Sequence, residues 1–138
     1  MLPGGTFTKI LFVDDERIIR QLVQIALEEA GYVVLEAEDV PSAWKVVKIE
    51  HPDLVILDLR MPAANGWELA RAIKADATLT ETKIVVVTAS QAEADRLRAQ
   101  ELLVDAFLTK PFSPLALVQL VDRVLGSGSN EGGRGRRS

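Results

Sequence analysis

The sequence predicts an α/β fold: a five-stranded parallel sheet with helices on both faces. Three observations carry that prediction. Five short apolar runs alternate with five stretches of helical periodicity, the pattern of parallel strands joined by helical crossovers. The middle run, Leu54-Val55-Ile56-Leu57, contains no polar residue, as suits a central strand covered on both sides. Polar groups then stand at the carboxyl ends of the runs, the edge at which open parallel sheets bind ligands.

The elements follow in order. Lys9 to Val13 is the first strand and ends in Asp14-Asp15-Glu16. Ile18, Ile19, Leu22, Val23, Ile25, Ala26 and Ala30 recur at helical spacing as the apolar side of helix one, which Gly31 closes. Tyr32 to Glu36 is a shorter second strand. Asp39 is the N-cap of helix two, Pro41 lies in its first turn, and Ala43, Trp44, Val46, Val47 and Ile49 form its buried stripe. His51 precedes the Pro52 stop as a partner for the helix dipole. The third strand, Leu54 to Leu57, delivers Asp58. Asn65 with Glu68 opens helix three, with Trp67, Leu69, Ala70 and Ile73 inward. Asp76 to Thr82 is expected to be a loop, and Lys83 to Thr88 the fourth strand. Ser90 with Glu93 is a capping box for helix four, a polar helix reaching about Leu102. Asp105 to Thr109 is the fifth strand, broken at Lys110-Pro111. Ser113-Pro114 starts a final amphipathic helix, Leu115 to Leu125.

Composition narrows the classes of function. With 138 residues the chain fits one domain, read as residues 1–125, with 126–138 a flexible Gly/Ser/Arg tail or linker. There is no cysteine and one histidine, which excludes disulfides, zinc–thiolate sites and thiol catalysis and argues against a histidine-based metal site or catalytic triad. Neither a signal peptide nor a membrane span is legible, so the chain reads as cytoplasmic. Net charge is −4, and the three tail arginines make the body more acidic still, which disfavours direct nucleic-acid binding. Nothing after Leu125 is long enough for a second domain, so the chain reads as a stand-alone protein or a piece cut at a linker.

Parallel strands bring Asp14, Asp15, Asp58, Thr88 and Lys110 to one edge. One ammonium cannot neutralise three carboxylates, and close acids repel unless a cation joins them. An all-oxygen set of this kind suits Mg²⁺, which takes one or two carboxylates with waters and phosphate oxygens. A carboxylate, a metal, a hydroxyl and a lysine together describe a site that accepts a phosphoryl group on Asp58.

Asp14-Asp15, Asp58 with Met61-Pro62 and Gly66, Thr88-Ala89, and Lys110-Pro111-Phe112 resemble the receiver domain of bacterial two-component response regulators, over roughly Lys9 to Leu125. The resemblance implies a flavodoxin-like fold with strand order 2-1-3-4-5. It implies Asp58 as phosphoacceptor, and Asp15, Asp58 and the backbone carbonyl of Arg60 as direct Mg²⁺ ligands, with Asp14 acting through water. Thr88 and Phe107 would be the switch pair, Lys110 the phosphoryl contact, and the Lys110–Pro111 bond cis. A histidine kinase or phosphotransfer protein would be the donor, and helix four, strand five and helix five the surface for an output partner or a homodimer. Two positions depart from the pattern. Leu103-Val104 replaces the common Gly-Ala before strand five, and Phe107 replaces the frequent tyrosine, so any contact needing that hydroxyl is absent.

Three rival readings fit less well. A phosphohydrolase with an aspartate nucleophile would carry a second acid where Arg60 stands. A flavin or nucleotide carrier would need a glycine- or hydroxyl-rich loop after strand one, where Asp14-Asp15-Glu16 would repel phosphate. An interaction module that is never phosphorylated would not need so complete a site.

Overall fold

The computed structural model describes residues 7–59, 66–98 and 104–126. The order is β1 (Lys9–Val13), α1 (Arg17–Glu29), β2 (Val33–Ala37), α2 (Val40–Glu50), β3 (Leu54–Asp58), α3 (Gly66–Ala75), β4 (Lys83–Thr88), α4 (Gln91–Arg98), β5 (Ala106–Thr109) and α5 (Pro114–Gly126). All four strand pairings are parallel and the sheet order is β2-β1-β3-β4-β5. This is the flavodoxin-like architecture expected. The expected Asn65 cap, the Met61-Pro62 break, the Arg60 carbonyl, Leu103 and the tail beyond Gly126 lie outside the described residues; Gly126 itself ends α5.

Side chains alternate along each strand and split the core in two. Leu11, Val13, Val55, Leu57, Ile84 and Val86 pack with Ala43 and Val47 of α2 and Leu69, Ala70 and Ile73 of α3. Ile10, Phe12, Leu54, Ile56, Val85 and Val87 pack with Val23 and Leu27 of α1 and Leu117, Leu120, Val121 and Val124 of α5. β3 is buried along its whole length, as an uninterrupted apolar run between two helical layers requires.

Caps place the helix ends. Asp39 accepts from Ser42 N at 2.8 Å, and Ser113 Oγ accepts from Ala116 N at 3.0 Å. At α4, Ser90 Oγ accepts from Glu93 N while the Glu93 carboxylate takes Ala89 N–H, one residue before the expected position. Gly31 turns the chain after α1 with φ 100. His51 ends α2 in the left-handed region, φ 48, and donates its N–H to the Val47 carbonyl. It is thus a backbone cap as well as a group at the dipole's negative end.

Several sequence expectations need correction. β2 runs one residue later than Tyr32–Glu36. The segment read as a loop contains a single 3-10 turn, Ala77–Leu79, capped by Asp76 and anchored by buried Leu79. The apolar side of α1 is only partly inward. Val23 and Leu27 are its buried residues, whereas Ile18, Leu22 and Ile25 are more than half exposed. Ile49, assigned to the buried stripe of α2, is 76% exposed. Both helices have more apolar residues than a single sheet face can cover. Ile18, Leu22 and Ile25 form their own row, at intervals of four and three, beside the one that meets the sheet.

Two leucines of α1 therefore differ sharply. Leu27→Ala should cost about 2–5 kcal/mol of stability, because a buried side chain leaves a cavity. Leu22→Ala should cost less than about 1 kcal/mol. Urea unfolding compares them, and equal losses would contradict this packing.

Candidate functional site

Register builds the site. Val13 pairs with Leu57, and Asp58 with Val87. The next residues along β1 and β3, Asp14 and Asp58, are therefore level with each other on adjacent strands. By strand alternation both fall on the side of Phe12 and Ile56, the α1/α5 side. Asp14 N–H donates to the Ala37 carbonyl, which carries the pairing one residue past the end of β1. On the other flank Lys110 N–H donates to the Thr88 carbonyl at 2.9 Å, extending the β4–β5 ladder to the lysine. The Lys110–Pro111 peptide is cis, as expected.

The result is two buried acids around one ammonium. Lys110 Nζ lies 2.7 Å from Asp58 Oδ2, 3.5 Å from Asp14 Oδ2 and 3.5 Å from Glu16 Oε1. Asp14 Oδ1 accepts from Glu16 N at 2.8 Å, but its buried Oδ2 has no hydrogen-bond partner among the described residues. Burial pushes the Asp14 carboxyl up to about 6; the Glu16 N–H opposes this, the charge of Asp58 adds to it, and Lys110 counteracts it. Burial also works against the Lys110 ammonium. The hydrogen bond and charge of Asp58, with the charges of Asp14 and Glu16, outweigh it and hold Lys110 above its ordinary pKa.

Thr88 is fully buried one residue beyond the level of Asp58, and its hydroxyl donates to the Ser90 carbonyl at 3.2 Å. Thr88 pairs with Thr109 and Val86 with Phe107. Alternation then puts Thr88 and Phe107 on one side of the sheet, on adjacent strands and two residues out of register, a diagonal within reach of an aromatic ring. Phe107 is half-buried against the α2/α3 cluster. Asp15 follows Asp14 at the strand end with its side chain exposed.

Two further residues belong to the site. Arg20 donates from Nη1 to the Asp14 carbonyl at 2.6 Å and pairs through Nε with Glu36 at 2.7 Å, clamping the end of β1 from α1. Glu16 provides the third acid on Lys110. Sequence reasoning noted Glu16 without assigning it and passed over Arg20. Their spacing of four on a helix is the signal that both face the end of β1. Beside the acids a cleft of about 590 Å³ runs between α1 and the β5–α5 connection, with Glu16, Lys110, Leu22, Val23, Phe112 and Leu117 among its walls.

A family model described as the response regulator receiver domain matches residues 10–122. The chain belongs to that family. It is 42% identical over 125 residues to the phosphate regulon transcriptional regulatory protein PhoB of Pseudomonas aeruginosa, covering 88% of this chain and 55% of that protein. With PhoB of Escherichia coli the identity is 37%, over 85% of this chain and 51% of that one. The receiver chain thus spans about half the length of these relatives. Among solved structures, the chemotaxis response regulator CheY4 of Vibrio cholerae superposes with a TM-score of 0.79 at 31% identity, covering 86% of this chain and 99% of that one. A BeF3-activated DrrB receiver domain gives 0.73 at 30% identity, covering 87% and 98%. Receiver domains are phosphorylation-dependent signalling modules.

The acids of this receiver fit a hard divalent cation. Among the described residues, Asp14 Oδ2 is a buried oxygen lacking a hydrogen-bond donor, and the Lys110 ammonium lies within 3.5 Å of three carboxylates. Among the described residues no three acids form a ready-made cage. Mg²⁺ does not need one, since it keeps several waters and takes one or two carboxylates.

Asp14 also gives the metal-free receiver a stability signature. Its carboxyl binds a proton more tightly in the folded chain, near 6, than an ordinary aspartate does at 3.8. This term therefore weakens the fold as pH rises from about 4 through about 6, and the penalty persists at neutral pH. In chelator, Asp14→Asn should be more stable than the native chain at about pH 7.5, by about 1–3 kcal/mol. The gap should close on acidification to about pH 4. Denaturant unfolding at both pH values checks this, and a variant weaker than native at neutral pH would contradict it.

Proposed function

We propose that this receiver accepts a phosphoryl group on Asp58 from a histidine kinase or phosphotransfer protein, and that the modification changes the surface formed by α4, β5 and α5. The observation that carries this reading is the convergence on Lys110: a buried, level pair of carboxylates with an ammonium 2.7 Å from the inner one. An Asp58 oxygen attacks phosphorus, the donor's P–N bond breaks, and the imidazole nitrogen leaves with the electron pair. Water later attacks the same phosphorus, and inorganic phosphate departs from the regenerated carboxylate. Lys110 stands where it can shift from Asp58 to a phosphoryl oxygen without leaving its other acids. No outside substrate is turned over, so the chain acts as a switch and not as an enzyme.

Asp14, Asp15, Asp58 and the Arg60 carbonyl would hold Mg²⁺. When bound, the ion would neutralise charge that builds up on the phosphoryl oxygens. Orphaned Asp14 Oδ2 supports that assignment. Asp14 is the acid oriented toward Lys110 and Asp15 is exposed, so water-mediated and direct roles for the two would require the Asp15 side chain to turn inward.

The switch would use Thr88 and Phe107. The Thr88 hydroxyl, now spent on the Ser90 carbonyl, would move to a phosphoryl oxygen. Half-buried Phe107, on the same side of the sheet, would turn into the space released. Such a change shifts the balance between two conformations through new phosphoryl contacts. The output would be read by another domain of a longer chain, by a separate protein or by a second copy through α4-β5-α5. Curated relatives about twice as long are transcriptional regulatory proteins, which favours a longer regulator over direct nucleic-acid contact by this domain.

Incubation with acetyl phosphate and Mg²⁺ should add one phosphoryl group to the native chain, read by intact mass. Asp58→Asn and omission of Mg²⁺ should each abolish most of the gain. A mutant that still takes up one equivalent would overturn the assignment of Asp58.

A further inference from the structure

Glu16 occupies the N-cap position of α1, yet its side chain makes no capping hydrogen bond. Its Oε1 instead lies 3.5 Å from Lys110 Nζ, the same distance as Asp14 Oδ2. The three acids around the ammonium are unlike. Asp14 and Asp58 are buried, whereas 62% of the Glu16 side chain is exposed. Glu16 and Lys110 both line the cleft between α1 and the β5–α5 connection. Asp58 is only 2% exposed, so a donor that reaches it comes close to these groups. A carboxylate there acts on the donor twice: it competes for the ammonium that should meet the phosphoryl oxygens, and it repels negative charge directly.

We propose that Glu16 is a specificity-determining residue for the phosphodonor, penalising small donors according to their negative charge by holding a carboxylate beside Lys110. The inference rests on the reading of Asp58 as phosphoacceptor. A small dianion such as acetyl phosphate has nothing but its phosphoryl and acyl groups with which to offset the repulsion. A protein donor offsets it with contacts elsewhere. In either transfer the chemistry is unchanged. The P–O bond of acetyl phosphate or the P–N bond of phosphoramidate breaks, a P–O bond to Asp58 forms, and acetate or ammonia leaves with the electron pair.

Glu16→Gln keeps the shape and removes the charge, and there is no side-chain cap for it to lose. With saturating Mg²⁺ and low salt, labelling by acetyl phosphate should become roughly three- to tenfold faster per molar donor, the effect of one charge on a dianion at several ångströms in water. Labelling by phosphoramidate, which carries less negative charge, should gain less. The gain should lie in the donor concentration that half-saturates the labelling rate, with the limiting rate nearly unchanged, and it should largely vanish at ~1 M salt, where screening acts within about 3 Å. Glu16→Asp keeps the charge and should keep the native preference. Equal gains for the two donors, a gain indifferent to salt, or no gain would overturn the proposal while native labelling at Asp58 stands. A native chain that neither donor labels at Asp58 would overturn both this proposal and the reading beneath it.

Discussion

Two carboxylates, Asp14 and Asp58, are buried side by side against the Lys110 ammonium, and this arrangement governs the rest of the site. Burying like charges together is costly, and one lysine offsets only part of that cost. The remainder shows in the Asp14 carboxyl, which burial raises to about 6, and in its buried oxygen without a hydrogen-bond partner. A fold selected only for stability would replace one of these acids with an apolar or amide side chain. Local departures from good packing rules are expected where a protein does its chemistry.

The scaffold makes that arrangement possible. The β1–β3 and β3–β4 registers set Asp14 and Asp58 level, and buried apolar side chains above and below hold the strands. Arg20 holds the Asp14 carbonyl and so ties the acid's backbone to α1. Lys110 comes from the opposite flank of β3, across β4, on a backbone that still pairs with Thr88. The acids therefore sit at the ends of two interior strands whose side chains are buried almost throughout. The groups read as the switch, Thr88 and Phe107, lie toward the β5 edge. There every β5 residue is only partly buried, and Ala94 is the buried side chain among those described in α4. Acids on buried strands beside a less buried edge would let a local change of charge become a change of surface.

Much of this was legible in the chain. Strand–helix alternation gave all five strands within a residue or so, because β3 and β4 are unbroken apolar runs and Asp39 and Ser113 are strong caps. Asp14, Asp58 and Lys110 could be placed together because parallel strands bring their carboxyl ends to one edge. Four things were not legible. Periodicity alone could not say which apolar row of α1 meets the sheet, so Ile18, Leu22 and Ile25 were read as inward. The 3-10 turn at Ala77–Leu79 is too short to have a period, and only Leu79 anchors it. The contacts of Glu16 and Arg20 depend on how α1 leaves β1, a geometry the sequence order does not specify. Which of Asp14 and Asp15 faces Lys110 follows from strand alternation counted on from Phe12, a step that needs the register.

The proposal that these acids take a divalent cation and that Asp58 accepts a phosphoryl group is tested most directly by thermal melting with a phosphoryl mimic. Native protein should be melted in chelator, with Mg²⁺ alone, with beryllofluoride alone and with both. The account predicts a small rise with Mg²⁺, none with beryllofluoride alone and a much larger rise with both together. A melting temperature unchanged by the combination would contradict it.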